Sequence, residues 1–170
     1  MKKSLILLLF PIICFGQNQY SSSKMSFVYP IDFRKKDSRI IQDVSVKFVN
    51  KDYSRTENIV VNITDEYLSL GAVNKQKHIN LIIKEIEVVA KALDSKYNSK
   101  LLNYETKTIH GKKVISTMIK LNLIDYDMVI YQLHYLYVKR GKGCYIIVTY
   151  DDENDYSNIA DFILKDFKFL

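Results

Sequence analysis

Hydrophobic and polar positions alternate most clearly between Leu101 and Tyr150. Four runs there predict consecutive strands at Leu101–Ile109, Val114–Leu123, Met128–Lys139 and Cys144–Tyr150. Turn formers separate them: His110-Gly111-Lys112-Lys113, Ile124-Asp125-Tyr126-Asp127 and Arg140-Gly141-Lys142-Gly143. In the third run both parities are apolar, with Tyr131, Leu133, Tyr135 and Tyr137 against Met128, Ile130, Leu136 and Val138. The fourth repeats this, with Tyr145 and Ile147 against Ile146 and Val148. Strands apolar on both faces are central and covered on both sides, so this meander predicts a sheet with material on each face.

Three shorter strands precede it. Met25–Tyr29 is stopped by Pro30, and residues Arg34 to Arg39 read as a charged loop. Asp43–Asn50 places Val44, Val46 and Phe48 on one side. Asn58–Thr64 does the same with Ile59, Val61 and Ile63, so the two predict an antiparallel pair. Between Asp65 and Val73 the pattern is mixed, with a short helical turn around Glu66–Leu68. The period then changes to that of a helix. Ile79, Ile82, Ile83, Ile86, Val89, Ala90 and Leu93 form one stripe, which predicts a helix over Lys75–Leu93 capped by Asn74. A second helix over Tyr156–Lys165 carries Ile159, Phe162, Ile163 and Phe167. Asn154 or Asp155 caps it, and the acidic run complements its dipole.

The ends divide the chain. Residues 1–16 have the layout of a signal peptide: Lys2 and Lys3, then an apolar Leu5–Phe15, then Cys14-Phe15-Gly16 with cleavage expected before Gln17. The apolar run is too short for a stable membrane span. Residues 17–24 read as a frayed polar leader, and residues 25–170 as a single globular domain. Thirteen Tyr and no Trp lean the composition towards sheet. The expected class is therefore α+β. More finely, it is an α/β/α sandwich: a central antiparallel sheet of six or seven strands, a long helix after the third strand and a C-terminal helix.

Cleavage also changes charge and sulfur. Two lysines and no acid leave, so the formal charge falls from +6 to +4. That value speaks to solubility more than to a partner. Cys14 leaves too, and Cys144 alone cannot form an intramolecular disulfide.

The order of elements resembles the PsbP-like superfamily, named for an extrinsic photosystem II protein. The resemblance rests on the signal peptide and Tyr29-Pro30, then Asn58-Ile-Val-Val-Asn-Ile63 and the amphipathic helix. It continues through the Ile109-His-Gly-Lys-Lys113 hairpin, Gly141-Lys-Gly-Cys-Tyr-Ile-Ile147 and the closing Tyr156–Phe167 helix. It covers about Met25–Leu170. It implies a central antiparallel sheet between helices, and it extends to small secreted bacterial proteins of unassigned role. No catalytic residues are carried over, and the photosynthetic role is not either, because fold is not function.

Candidate chemistry is sparse. His78 falls on a helix, His110 in a turn and His134 on a strand, with no ligand spacing for a metal. His134, between Gln132 and Leu136, reads as a satisfied, half-buried group. The Asp151–Asp155 run has Tyr156 and Phe162 where a calcium loop needs Gly and Glu. Arg140–Gly143 lacks the helix that a phosphate loop requires. No basic-aromatic stripe marks nucleic-acid binding. No cofactor is assigned.

The leading expectation is an exported, periplasmic or extracellular, non-catalytic accessory or binding protein. Its partner would be a protein or small molecule of the cell envelope. Its most plausible contact surface joins Tyr131, Tyr135 and Tyr137 with Arg140 and Lys142, since tyrosine packs while keeping a hydrated hydroxyl. The competing expectation is an envelope enzyme built from His134, Cys144 and the Asp151–Asp155 loop, which a concave pocket gathering those groups would favour. A structural subunit with a flat tyrosine face is the third.

Overall fold

A computed structural model describes residues 17–36, 45–52, 57–64, 69–92, 94–151 and 157–170. The expected signal peptide, Val44, the turn at 66–68, Leu93 and residues 152–156 of the acidic run and its helix cap lie outside the described residues.

Among the described residues, ten strands form two antiparallel sheets, accompanied by two α-helices. The larger contains β3 (Phe33–Lys36), β4 (Ser45–Asn50), β5 (Asn58–Thr64), β6 (Tyr97–Ile109), β7 (Lys112–Leu123), β8 (Met128–Lys139) and β9 (Lys142–Tyr150). Its order is β3-β4-β5-β9-β8-β7-β6. The smaller contains β1 (Gln17–Ser21), β2 (Met25–Pro30) and β10 (Lys168–Phe169), in the order β1-β2-β10. The helices are α1 (Lys75–Ala92) and α2 (Ser157–Asp166).

The meander forms where the alternation predicts it. Its hairpins β6–β7 and β8–β9 each close on two residues with positive φ, His110 (48°) with Gly111 (73°), and Arg140 (52°) with Gly141 (80°). That pair of conformations matches the right-handed twist of the strands it joins, and glycine at the second position makes it inexpensive. The β7–β8 connection is a short 3-10 turn, Ile124–Tyr126. The Asp125 carboxylate accepts the Lys96 N–H at 2.6 Å, and Ile124 N–H donates to the Lys96 carbonyl at 2.8 Å. This ties the exit of α1 to the sheet.

The two parities of β8 and β9 face different layers. Tyr131, Leu133, Tyr135, Tyr137, Cys144, Ile146 and Val148 pack with the buried residues of β5, the small sheet and α2 into the main core. The other face meets α1, where Ile82, Ile86 and Ala90 pack on Ile119, Leu121 and Leu123. Asn74 caps α1 as expected, its Oδ1 accepting the Lys77 N–H at 3.0 Å.

Several expectations are corrected. Gln17–Ser21 is not a frayed leader but strand β1, paired with β2 along its full length. Tyr20 anchors it against Phe27 and Phe48, with ring centroids 5.1 and 5.9 Å apart. The expected charged loop after Phe33 begins as edge strand β3, with Lys36 opposite Lys47. The long helix follows the fifth strand, because β1 and β3 were not foreseen. The layer on the α2 side is a helix together with a three-stranded sheet, so the α/β/α description is too simple. Polar edge strands lack an apolar alternation of their own, which is why the sequence pattern passes over them.

Candidate functional site

The expected tyrosine surface does not exist as a surface. Tyr131, Tyr135 and Tyr137 are 6%, 0% and 8% exposed. Tyr131 stacks on Tyr150 at 5.5 Å, Tyr135 donates its hydroxyl to Asp161 Oδ1 at 2.8 Å, and Tyr137 stacks on Phe169 at 5.8 Å. The parity that gathers them on one face also turns them under α2 and β10. Arg140 and Lys142 are exposed, on the β8–β9 turn, and Lys142 Nζ lies 3.5 Å from the Leu170 carbonyl oxygen.

The groups of the competing expectation are also separated. Across β8 and β9, His134 pairs with Ile147 while Cys144 pairs with Tyr137. Side chains alternate between faces, so His134 points towards α1 and Cys144 into the opposite core. The Cys144 thiol is fully buried and its pKa is pushed far up by desolvation. A thiol in that state is a small apolar filler, not a nucleophile.

A concave site does form on the α1 face. Helix α1 packs on β7 and β8 through Ile82, Ile86 and Ala90, and leaves recesses bordered by β5 and β9. Two adjoining recesses lie there, of ≈ 200 and ≈ 320 Å³, sharing Asn62, Glu85, His134 and Ile147 in their walls. The deeper floor is His78 and His134, 3% and 2% exposed. The rings of Tyr104 and Tyr145 each lie 5.9 Å from that of His78. Glu85 stands exposed at the mouth, and partial desolvation raises its pKa. Lys47 borders the wider recess, its pKa lowered by burial and then by Lys36.

The hydrogen bonds of the floor decide its chemistry. Gln132 Nε2 donates to Thr149 Oγ1 at 3.4 Å, which turns Gln132 Oε1 towards His134 Nε2 at 3.2 Å. Nε2 is therefore the donor, and Nδ1 keeps the lone pair. That Nδ1 has no protein partner among the described residues; neither have both ring nitrogens of His78, nor Thr117 Oγ1, which is opposite His134 in register. Burial first, and then the neighbouring His78, push His134 down to about 3. Burial also lowers His78. Both imidazoles are neutral near pH 7. At the rim, Ser45 Oγ donates to Asn62 Oδ1 at 2.5 Å, which leaves the Asn62 amide nitrogen as the donor it can offer.

His134 thus departs from its expected role. It is fully buried and only half satisfied. His78 was missed as a site residue, although a signal was present: positions 78, 82, 86 and 90 step by four along the buried stripe. An imidazole heading an apolar stripe is turned towards the sheet by the helix itself. Among the described residues no group of three or more His, Cys, Asp or Glu is placed to hold a metal ion.

The architecture that surrounds this recess is PsbP-like. The solution structure of cyanobacterial PsbP (CyanoP) from Synechocystis sp. PCC 6803 superposes with a TM-score of 0.67 at 16% identity, over 95% of this chain and 96% of that one. A crystal structure from Bacteroides thetaiotaomicron VPI-5482 superposes with a TM-score of 0.58 at 12% identity, over 86% of this chain and 45% of that one. At such identities the likeness is one of fold. No family model and no curated protein matches the sequence.

Proposed function

We propose that the protein is exported to the cell envelope and acts there as a non-catalytic accessory domain that binds a ligand in the recess beneath α1. The observation that carries this reading is the floor of that recess, two buried neutral imidazoles of which three ring nitrogens have no protein partner among the described residues. Leaving such groups unsatisfied costs about 1–3 kcal/mol each. A binding site offsets that cost when its ligand arrives. A general base would instead need a pKa near the working pH, and burial has carried His134 far from it. Export is supported by the n-region and apolar run of residues 1–16. No helix among the described residues is long and apolar enough to cross a membrane. The PsbP-like fold is compatible with an accessory role. In this reading the exposed Arg140 and Lys142 turn is a second surface, available to an envelope partner.

Cell fractionation followed by native mass spectrometry tests both halves. We expect the chain in the envelope or medium, beginning at Gln17, with a noncovalent adduct that leaves on denaturation. A cytoplasmic full-length chain would remove the export reading. A hydrolytic activity of the parent that is lost in His134→Ala or Cys144→Ala would replace the binding module with an enzyme.

A further inference from the structure

The hydrogen-bond inventory of the recess restricts its ligand further. This step rests on the binding role given above. His134 Nδ1 can only accept, because Nε2 is committed to Gln132. It therefore requires a donor. Each neutral form of His78 has one donor and one acceptor, and neither has a protein partner among the described residues. The pair together requires a ligand that donates twice and accepts once.

Charged ligands fail this inventory. A carboxylate or phosphate dianion accepts but has no proton for His134 Nδ1 or for the acceptor nitrogen of His78. Among the described residues no Lys or Arg lines the deeper recess to neutralise an anion, and Glu85 at its mouth repels one. An ammonium group donates but cannot accept from the His78 N–H. A hydroxyl does both, donating one hydrogen bond and accepting two. Two neighbouring hydroxyls would complete the floor. The Glu85 carboxylate and the Asn62 amide nitrogen then add an acceptor and a donor at the rim.

Size and the remaining walls narrow the class again. A recess of ≈ 200 Å³ exceeds the share of a single water, about 30 Å³. It is below the roughly 300–1,000 Å³ that takes drug-sized ligands. Tyr145, Ile82 and Ile147 give it an apolar side beside the polar floor. An apolar wall against a neutral polar floor suits a ring with C–H faces and hydroxyl edges.

We propose that this recess binds a neutral, polyhydroxylated ring, a monosaccharide or the terminal residue of a saccharide, whose adjacent hydroxyls are held by His134 Nδ1 and by His78 when these nitrogens, closed to solvent in this structure, turn to meet them. The ring lies against Tyr145, and its outer hydroxyls meet Glu85 and Asn62. The apolar recess walls supply contact area, and the imidazoles supply orientation.

The test is a titration of residues 17–170 followed through the imidazole nitrogen resonances of His78 and His134. The probes are glucose, galactose and N-acetylglucosamine, with glucuronate and glucosamine as anionic and cationic versions of the same ring. Saturable shifts of both imidazoles are expected with at least one neutral sugar, and weaker ones with the charged rings. His78→Leu and His134→Leu should each weaken that binding about tenfold or more, a loss of about 1.4 kcal/mol or more. His78→Leu should melt at an equal or higher temperature, because leucine removes two unsatisfied nitrogens, whereas His134→Leu also strands Gln132 Oε1 and should melt near the parent. Lys113→Ala, at the far hairpin, should bind as the parent does. Absence of saturable shifts with every neutral sugar overturns the proposal, as does equal binding of a charged ring or undiminished binding by the leucine variants. The parent titration decides the matter even if a variant does not fold. An adduct of another chemical class in native mass spectrometry would reject the saccharide and leave the binding module standing.

Discussion

Single residues show most plainly how burial sets chemistry. Cys144 and His134 are ten positions apart, on adjacent strands, yet alternation sends them into different layers. The thiol, pushed far up by desolvation, should not react with a disulfide reagent in the native state. Labelling should appear at the rate of unfolding, as a denaturant series would reveal; rapid native labelling would contradict its burial. His134 gives a pH signature. Its folded pKa is about 3 against 6.5 for an ordinary imidazole. Below pH 6.5 the unfolded chain takes up a proton that the folded chain refuses. Stability is therefore full above about pH 6.5 and falls as pH drops towards 3, by a few kcal/mol, at about 1.36 kcal/mol for each unit of difference. Urea midpoints between pH 7 and 4 should show that decline, and His134→Leu should flatten it. Neither residue's setting was legible beforehand. Parity told which residues share a face, but not that α1 would cover only part of the face beneath His134.

Elements are held in place by a few polar ties laid over apolar packing. Helix α2 ends against the β6–β7 hairpin, where Lys112 Nζ donates to the Leu164 and Lys165 carbonyls at 2.5 and 2.7 Å. A cation at a helix C-terminus satisfies orphan carbonyls and opposes the macrodipole. Lys112→Met should cost about 1 kcal/mol, which lowers the melting temperature by about 2–4 °C for a domain of this size. Calorimetry against the parent measures this, and an unchanged midpoint would mean that solvent serves the carbonyls as well. The helices and the four long strands were legible as elements because each repeats its own period over two or more turns or pleats. Lys112 was legible only as a turn residue. Its partner is fifty-two positions away, and no local pattern points there.

At the scale of the whole molecule, two sheets of unequal size enclose the main core. The small sheet is stitched from both ends of the described chain, with β2 between β1 and β10. Phe27 stacks on Phe167 at 6.2 Å and meets the tilted ring of Tyr20 at 5.1 Å, so the two ends share one aromatic cluster. Amide hydrogen exchange should therefore find the hydrogen-bonded amides of β1 protected to within a few kcal/mol of the sheet centre. Exchange at the rate of a free peptide would return Gln17–Ser21 to the status of a leader. Tyr20→Ala, which empties part of the cluster, should destabilise the domain by about 3 kcal/mol in urea unfolding.

By itself, the sequence determined the α+β class, the antiparallel meander with its hairpins, the amphipathic stripe of α1 and the coverage of both sheet faces. Those are properties of period and turn chemistry, written in neighbouring residues. The tertiary structure alone decided that β1, β3 and β10 exist, since short polar edge strands are strands only by virtue of their partners. It also decided that the tyrosines of β8 are core and that the site lies on the other face. Which of two apolar faces stays partly open depends on where a helix comes to rest across the sheet. That position is set by long-range packing of Ile82, Ile86 and Ala90 on β7, and no local period encodes it.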